Sequence, residues 1–370
     1  MKATLMVLNE PDFLQNRIFS TLPIKGVKNY GYMFAELRKQ LAIQGIDLAT
    51  QDIHAPEHST LIISLDVVDI FKVYERRSGQ LIYLLLNEPA TYYPEVWNKV
   101  NHVPFDRVFT WDYTLADGKK YIHHYFAIDL DAYEPFKAVT EEEFNDRKLL
   151  VLMAGMFQFA PPKSGSDSLL YIRYKTLRWF GEHLSQHFDF YSRGIDRAAY
   201  RSFRGLGLLQ RILPRALTDW MADAMGNRRR QAMEALNLGP VAPLEKLATI
   251  RSYRFVICYE NTRTPGYVSE KIFDCLFASC VPVYLGEPSI ERFIPRGCYV
   301  NRDDFATDAA LSAFLMQMSY AEYAGYIAAI QDFLSGVERQ KFGSEANATR
   351  VTDVLLADIA ASKNSFLDVE

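Results

Sequence analysis

The chain has 370 residues, 49% of them hydrophobic and 23% charged, with a formal net charge of −4. That length exceeds what one hydrophobic core usually organises, so two domains are expected, and the composition excludes a disordered polyelectrolyte. The charge balance gives no global attraction to nucleic acid or to anionic membranes, so any anion site must be local.

Met1-Lys2-Ala3-Thr4-Leu5-Met6-Val7-Leu8 is a short apolar run, stopped by Asn9-Glu10-Pro11-Asp12 before a signal-peptide core or a membrane span could form. It reads as a first buried strand from Thr4 to Leu8. The runs Leu61 to Leu65, Leu81 to Leu86 and Arg107 to Trp111 read as further buried parallel strands. Between the first two, Gly31 to Gln44 sets Phe34, Leu37, Leu41 and Ala42 near one helical face, and Gly45 ends the helix. Strand, helix, strand is the α/β unit.

Tyr133-Glu134-Pro135 through Glu141-Glu142-Glu143 breaks this rhythm, which places an N-terminal lobe at residues 1–140 and a second lobe at 141–345. In the second lobe, strands are expected at Lys148 to Met153, Phe188 to Tyr191, Phe255 to Tyr259, Val281 to Leu285 and Cys298 to Asn301. Residues 200–247 interrupt it as a basic helical insertion that includes Arg201, Arg204, Arg211, Arg215 and Arg228-Arg229-Arg230. Residues 346–370 read as a C-terminal helix and tail, with Val354, Leu355 and Ile359 available for packing. Cys258, Cys275, Cys280 and Cys298 lack the spacing of zinc or redox sites and read as free buried thiols in a reducing cytoplasm. Asn347-Ala348-Thr349 fits the glycosylation triplet, a pattern that arises by chance.

The chemistry concentrates between Tyr253 and Gly286. Phe255 to Tyr259 is continuously apolar, and Glu260-Asn261 puts two polar side chains where that strand leaves the sheet, the edge at which open α/β sheets bind ligands. The loop Thr262 to Gly266 then delivers Tyr267-Val268-Ser269-Glu270-Lys271 to the start of a helix. Free backbone N–H groups, Lys271 and the Glu270 carboxylate together suit a nucleotide diphosphate and its sugar hydroxyls; the plainer alternative is a solvated Glu-Lys pair.

Tyr259-Glu260-Asn261, the Tyr-Val-Ser-Glu-Lys run and Val281-Pro282-Val283-Tyr284-Leu285-Gly286 resemble, in order, the signature of the alpha-1,3-fucosyltransferase family, glycosyltransferase family ten, in its bacterial soluble form. The likeness continues through Phe293-Ile294-Pro295 and Tyr299 to Phe305. It implies an α/β, GT-B type fold of two facing Rossmann-like lobes. It implies that Asn261, Tyr267, Glu270 and Lys271 bind GDP-fucose, with Lys271 on the phosphates. Arg193, after the strand Phe188 to Tyr191, resembles the family's arginine that braces the diphosphate, although a surface arginine would also fit there. Glu88, in Leu84-Leu85-Leu86-Asn87-Glu88-Pro89, resembles the family's catalytic base, here with proline next to it where many members have a serine between.

The implied reaction is an inverting transfer of L-fucose to a glycan hydroxyl, alpha-1,3 to N-acetylglucosamine or a related sugar, with Glu88 taking the proton and Glu270 stabilising charge on the sugar ring. The family works without a bound metal. Asp129-Leu130-Asp131 has the spacing of metal-dependent sugar transferases but lies far in sequence from the phosphate-binding run and reads as a solvated acidic turn. The acceptor is an oligosaccharide or a lipid-linked glycan, and no nucleic acid is expected; the basic insertion fits contact with the inner membrane leaflet, or equally a helical insert whose apolar residues pack on the second lobe and whose arginines are solvated. Two rival readings remain on the same scaffold: transfer of a different nucleotide deoxysugar, and a non-enzymatic sugar- or nucleotide-binding protein. A dinucleotide-dependent oxidoreductase is disfavoured, because no Gly-x-Gly-x-x-Gly turn follows any expected strand.

Overall fold

The computed structural model describes residues 1–20, 30–155, 157, 165–193, 213–214, 217 and 231–367, the side chains through residue 362. Most of the 200–247 stretch, with every arginine named for it, lies outside the described residues. The chain divides into two α/β units. One comprises Met1–Glu134, Thr264–Glu270 and Gly336–Glu370, and the other Pro135–Arg263 and Lys271–Ser335.

The first unit carries β1 (Lys2–Met6), β2 (Asp47–Thr50), β3 (Leu61–Leu65), β4 (Leu81–Leu85), β5 (Arg107–Thr110) and β6 (Tyr121–His123), in the order β2-β1-β3-β4-β5-β6. Every pairing is parallel. Alternate side chains therefore pack on opposite faces. Leu5, Ile63, Tyr83, Leu85 and Phe109 meet the helix Tyr32–Ile43 through Met33, Phe34, Leu37 and Leu41, whereas Met6, Ile62, Ile82, Leu84 and Val108 meet Phe71, Val96 and Phe105. Gly45, at φ 72°, ends that helix with its N–H on the Ala42 carbonyl.

The last helix, Ser344–Leu367, takes up most of the stretch 346–370 expected as a C-terminal helix and tail, and it returns to this unit. Its Ala348, Val351 and Leu355 complete the same core. Asn347, in the glycosylation triplet, is fully buried, and its amide donates to the Lys341 and Gly343 carbonyls and accepts from the Tyr125 N–H and Arg350. It is a structural asparagine. β2 and β6 were not anticipated. Each is four residues or fewer, and β2 offers only Leu48 and Ala49 as apolar signal.

The second unit carries β7 (Lys148–Met153), β8 (Phe188–Tyr191), β9 (Tyr253–Tyr259), β10 (Val281–Leu285) and β11 (Val300–Asn301), ordered β11-β10-β9-β7-β8 and again parallel. All five residues of β10 and six of the seven in β9 are buried, as strands covered on both faces require. The expected strand at Cys298 to Asn301 is only Val300–Asn301, because Arg296–Cys298 forms a 3₁₀ turn. The four cysteines are free and buried. Among the described residues no helix is long and apolar enough to cross a membrane.

Candidate functional site

At the carboxyl end of the central strand β9, the first polar residue is Glu260, wholly buried. Its N–H donates to the Leu285 carbonyl at 2.8 Å, which extends the β9–β10 ladder past Tyr259. The side chain fits because residue 286 is glycine: a Cβ there would lie 2.5 Å from Glu260 Cγ and 2.5 Å from the Tyr284 hydroxyl. The Tyr-Glu-Asn and Val-Pro-Val-Tyr-Leu-Gly runs are thus neighbours in space. Lys271, at the first turn of the helix Glu270–Phe277, reaches back to place Nζ 3.2 Å from Glu260 Oε2. The acid faces the protein interior and the ammonium is about a quarter exposed, with 27% of its side chain accessible.

Asn261 is half-buried and held by Arg173, a buried arginine of the helix Leu170–His183. One guanidinium nitrogen of Arg173 lies 2.8 Å from the Tyr259 carbonyl, 3.0 Å from the Glu260 carbonyl and 3.0 Å from Asn261 Oδ1. The Asn261 carbonyl accepts from the Leu169 N–H at 3.0 Å. Sequence reasoning missed Arg173, which sits among Leu, Tyr and Lys on an amphipathic helix and carries no motif. It placed Glu260 at the sheet edge without giving it a partner. Arg193 follows β8 and is exposed, and the preceding Ser192 is fixed by its N–H to Asn237 Oδ1 at 2.8 Å.

In the first unit, β4 runs into Leu86-Asn87-Glu88, and Glu88 is half-buried. Asp66, just past the end of the neighbouring β3, accepts the Asn87 N–H on one carboxylate oxygen and the Glu88 N–H on the other, both at 2.9 Å. Two indoles close over the same peptide. Trp97 Nε1 donates to the Glu88 carbonyl at 2.8 Å and Trp111 Nε1 to the Asn87 carbonyl at 3.1 Å, with the rings 4.6 Å apart. Burial, followed by the charges of Glu88 and Asp66, pushes the Tyr30 and Tyr93 phenols above their ordinary range, so both face these carboxyls.

The segment Thr264–Glu270 belongs to this unit as well. Gly266, at φ 81°, backs onto Trp111 so closely that a Cβ would lie 1.9 Å from the Trp111 carbonyl oxygen. Tyr267 is buried against Trp111 at 4.8 Å and Phe126 at 5.9 Å, and Glu270 is half-buried. The expected site residues therefore fall into two groups: Arg193, Asn261 and Lys271 in the second unit, and Glu88, Tyr267 and Glu270 within the first.

Asp129 is buried, whereas Asp131 is exposed in the turn Leu130–Ala132, so the acidic turn is not simply solvated. Burial is the main reason that His124, next to His123 in the chain, is held neutral, its imidazole pushed down to about 3. Among the described residues no group of three or more His, Cys, Asp or Glu side chains converges as metal ligands.

Residues 223–341 match the family model for glycosyltransferase family 10 (fucosyltransferase), C-terminal part. Alpha-(1,3)-fucosyltransferase 7 of Rattus norvegicus is 36% identical over 92 residues, 24% of this chain and 25% of that protein. The chain thus aligns with about a quarter of the length of that curated relative. A solved alpha1,3-fucosyltransferase is similar in fold at a TM-score of 0.50 and 14% identity, over 96% of this chain and 89% of that one. A solved alpha-glucosyltransferase in complex with UDP-glucose and DNA containing an abasic site reaches a TM-score of 0.52 at 10% identity, over 96% and 99%. These neighbours are GT-B glycosyltransferases, and the chain shares that fold class.

Proposed function

We propose, from a chain whose residues 223–341 carry the C-terminal domain of glycosyltransferase family 10 (fucosyltransferase), that the protein transfers L-fucose from GDP-fucose to a glycan hydroxyl. The observation that supports this most is the pairing of Lys271 with the buried Glu260 at the carboxyl end of β9, beside Asn261. A lysine anchored on one side by a carboxylate at a sheet edge has donors left for a diphosphate to share.

In this reading Lys271, Arg193 and the N–H groups at the start of the helix Glu270–Phe277 stabilise the departing GDP. Asn261 and Tyr267 line the donor site, and Glu270 meets the sugar hydroxyls and the positive charge that develops on the ring. Glu88 takes the acceptor proton as the hydroxyl attacks the anomeric carbon opposite the diphosphate, which inverts its configuration. These cationic and N–H groups do the work that a metal does in other transferases, so turnover survives a strong chelator. A chelated enzyme that a divalent ion restores would return Asp129 and Asp131 to consideration.

The acceptor is an oligosaccharide or a lipid-linked glycan, with the new linkage alpha-1,3 to N-acetylglucosamine or a related sugar, and the enzyme works in the cytoplasm. Vesicle co-sedimentation tests whether residues 200–247 dock on an anionic inner leaflet: binding that weakens with salt or with Arg228–Arg230→Glu supports docking. The test of the whole reading is to offer GDP-fucose with galactose- and N-acetylglucosamine-containing acceptors and identify the linkage formed. GDP binding without NAD or free-sugar binding supports it. Turnover with another nucleotide sugar but none with GDP-fucose would favour the second reading, a different donor, since a solved glucosyltransferase has the same fold.

A further inference from the structure

Asp66 is an unusual residue at an informative place. It is 5% exposed, it follows β3 directly, and its backbone is left-handed at φ 51°, a conformation that costs a non-glycine residue energy. Among the described residues its carboxyl group has no ion-pair partner to offset its burial. Each oxygen accepts one backbone N–H, from Asn87 and from Glu88. Burial pushes its carboxyl up to about 8 even though both amides pull it down, and the Glu88 charge adds to the rise. A serine or threonine could have held a single amide at far lower cost. What a carboxyl group supplies is an acceptor oxygen toward each of the two amides on one rigid plane, which fixes the orientation of two consecutive peptide groups.

The carbonyls of the same two residues are held from the other side. Trp111 takes that of Asn87 and Trp97 that of Glu88, so all four polar backbone groups of the dipeptide are spoken for. The next residue is Pro89, which fixes its own φ and restricts Glu88 to extended backbone. The result is a glutamate whose Cα–Cβ direction is set by the protein on every side. Such restraint is not needed for a glutamate that merely begins a turn.

We propose that Asp66 is a positioning residue for Glu88: it clamps the Asn87-Glu88 peptide, with Trp97 and Trp111 completing the clamp, so that the Glu88 carboxylate keeps one direction through the reaction. The proposal rests on the reading of Glu88 as the base. Small displacements of a general base cost rate without changing donor affinity, so the effect falls on kcat.

The experiment compares Asp66→Asn, Glu88→Gln and the double variant in steady-state transfer, with GDP affinity by calorimetry and thermal melting as controls. Asp66→Asn keeps the shape but turns an NH2 toward one of the two amides, losing one arm of the clamp. The expected result is a fall in kcat of about tenfold, with KM and GDP affinity within about twofold, and a double variant no slower than Glu88→Gln. Unchanged kcat in Asp66→Asn overturns the proposal, as does an equal further loss when it is added to Glu88→Gln. Full activity in Glu88→Gln removes the reading of the base itself, a separate outcome. If Asp66→Asn does not purify folded, Trp97→Phe removes only the indole donor to Glu88. A fall in kcat of about threefold supports the clamp, and none overturns it.

Discussion

Lys271 Nζ lies 3.2 Å from Glu260 Oε2, and that carboxylate is completely buried. The two partners are unequal: the lysine keeps contact with water, whereas the glutamate is wholly buried. Lys271→Ala therefore removes a positive charge that faces a buried carboxylate. The expected cost is about 2 kcal/mol of unfolding free energy, below the usual range for a buried pair because one partner is solvated. On the proposed donor role of Lys271, GDP affinity should fall by about tenfold or more through loss of a charge-assisted phosphate contact. Adding Glu260→Gln to Lys271→Ala should restore part of the stability and none of the affinity. Denaturant titration and GDP calorimetry on the single and double variants check the two halves independently, and joint recovery of both would refute a phosphate role for Lys271.

Gly286 leaves room for Glu260 rather than for a turn of the chain. A methyl group there would sit 2.5 Å from Glu260 Cγ and 2.5 Å from the Tyr284 hydroxyl, both inside a packed sheet edge. Gly286→Ala should cost about 1–3 kcal/mol by overpacking and should lower GDP affinity by displacing Glu260 from Lys271. Melting temperature and GDP titration measure both effects. Normal GDP binding in a destabilised Gly286→Ala protein would mean that the Glu260 position does not control the donor site.

Much of this architecture was legible in the sequence, for a physical reason. β3, β4, β7 and β10 are covered on both faces, so their apolar runs Leu61–Leu65, Leu81–Leu85, Lys148–Met153 and Val281–Leu285 announce themselves. β2 and β6 lie at the sheet's two edges and are too short to carry such a signal. At the candidate site, the motif residues Asn261, Glu270 and Lys271 were visible, but their supports were not. Asp66 and Arg173 act largely through hydrogen bonds to the backbone of residues 21 to 87 positions away, and backbone groups leave no trace in side-chain patterns. Gly266 and Gly286 appeared only as loop or motif letters. Their role emerges from the atoms that would meet an added Cβ.

Arg173 shows what such a support is worth. Its guanidinium serves the Tyr259 and Glu260 carbonyls and Asn261 Oδ1 within 3.0 Å, and Arg173 itself is buried. Arg173→Met keeps the length of the stem but leaves three acceptors facing an apolar side chain. The expected loss is about 2–4 kcal/mol of stability, together with weaker GDP binding as Asn261 is released. Arg173→Lys should recover part of the stability through one donor while failing to orient Asn261, so its GDP affinity should stay reduced. Equal GDP affinity in wild type and Arg173→Lys would show that the arginine serves only the strand end.

Asp358 anchors the final helix to the first sheet. Arg107 donates to it through Nε at 3.0 Å and Nη2 at 2.7 Å, and the buried Tyr83 hydroxyl donates at 3.0 Å. The Arg107 hydrogen bonds are the largest influence, and they hold the carboxyl below its ordinary range despite the opposing effect of burial. A folded-state pKa lower than the unfolded one means that protons bind the unfolded chain more readily. The stabilisation is therefore present at neutral pH and is lost as pH falls through the ordinary carboxylate range towards the depressed folded value. Asp358→Asn should remove it at neutral pH, lowering stability by about 1–2 kcal/mol, discounted because the Arg107 side chain is 31% exposed. Urea midpoints of the wild type and Asp358→Asn, compared between about pH 7 and pH 3, should converge on the acid side, because a protonated aspartate loses the charge that the asparagine already lacks. A gap that stays constant over this range would show that the contact works through shape and neutral hydrogen bonding. The tie between the returning helix and β4–β5 would then owe nothing to the Asp358 charge.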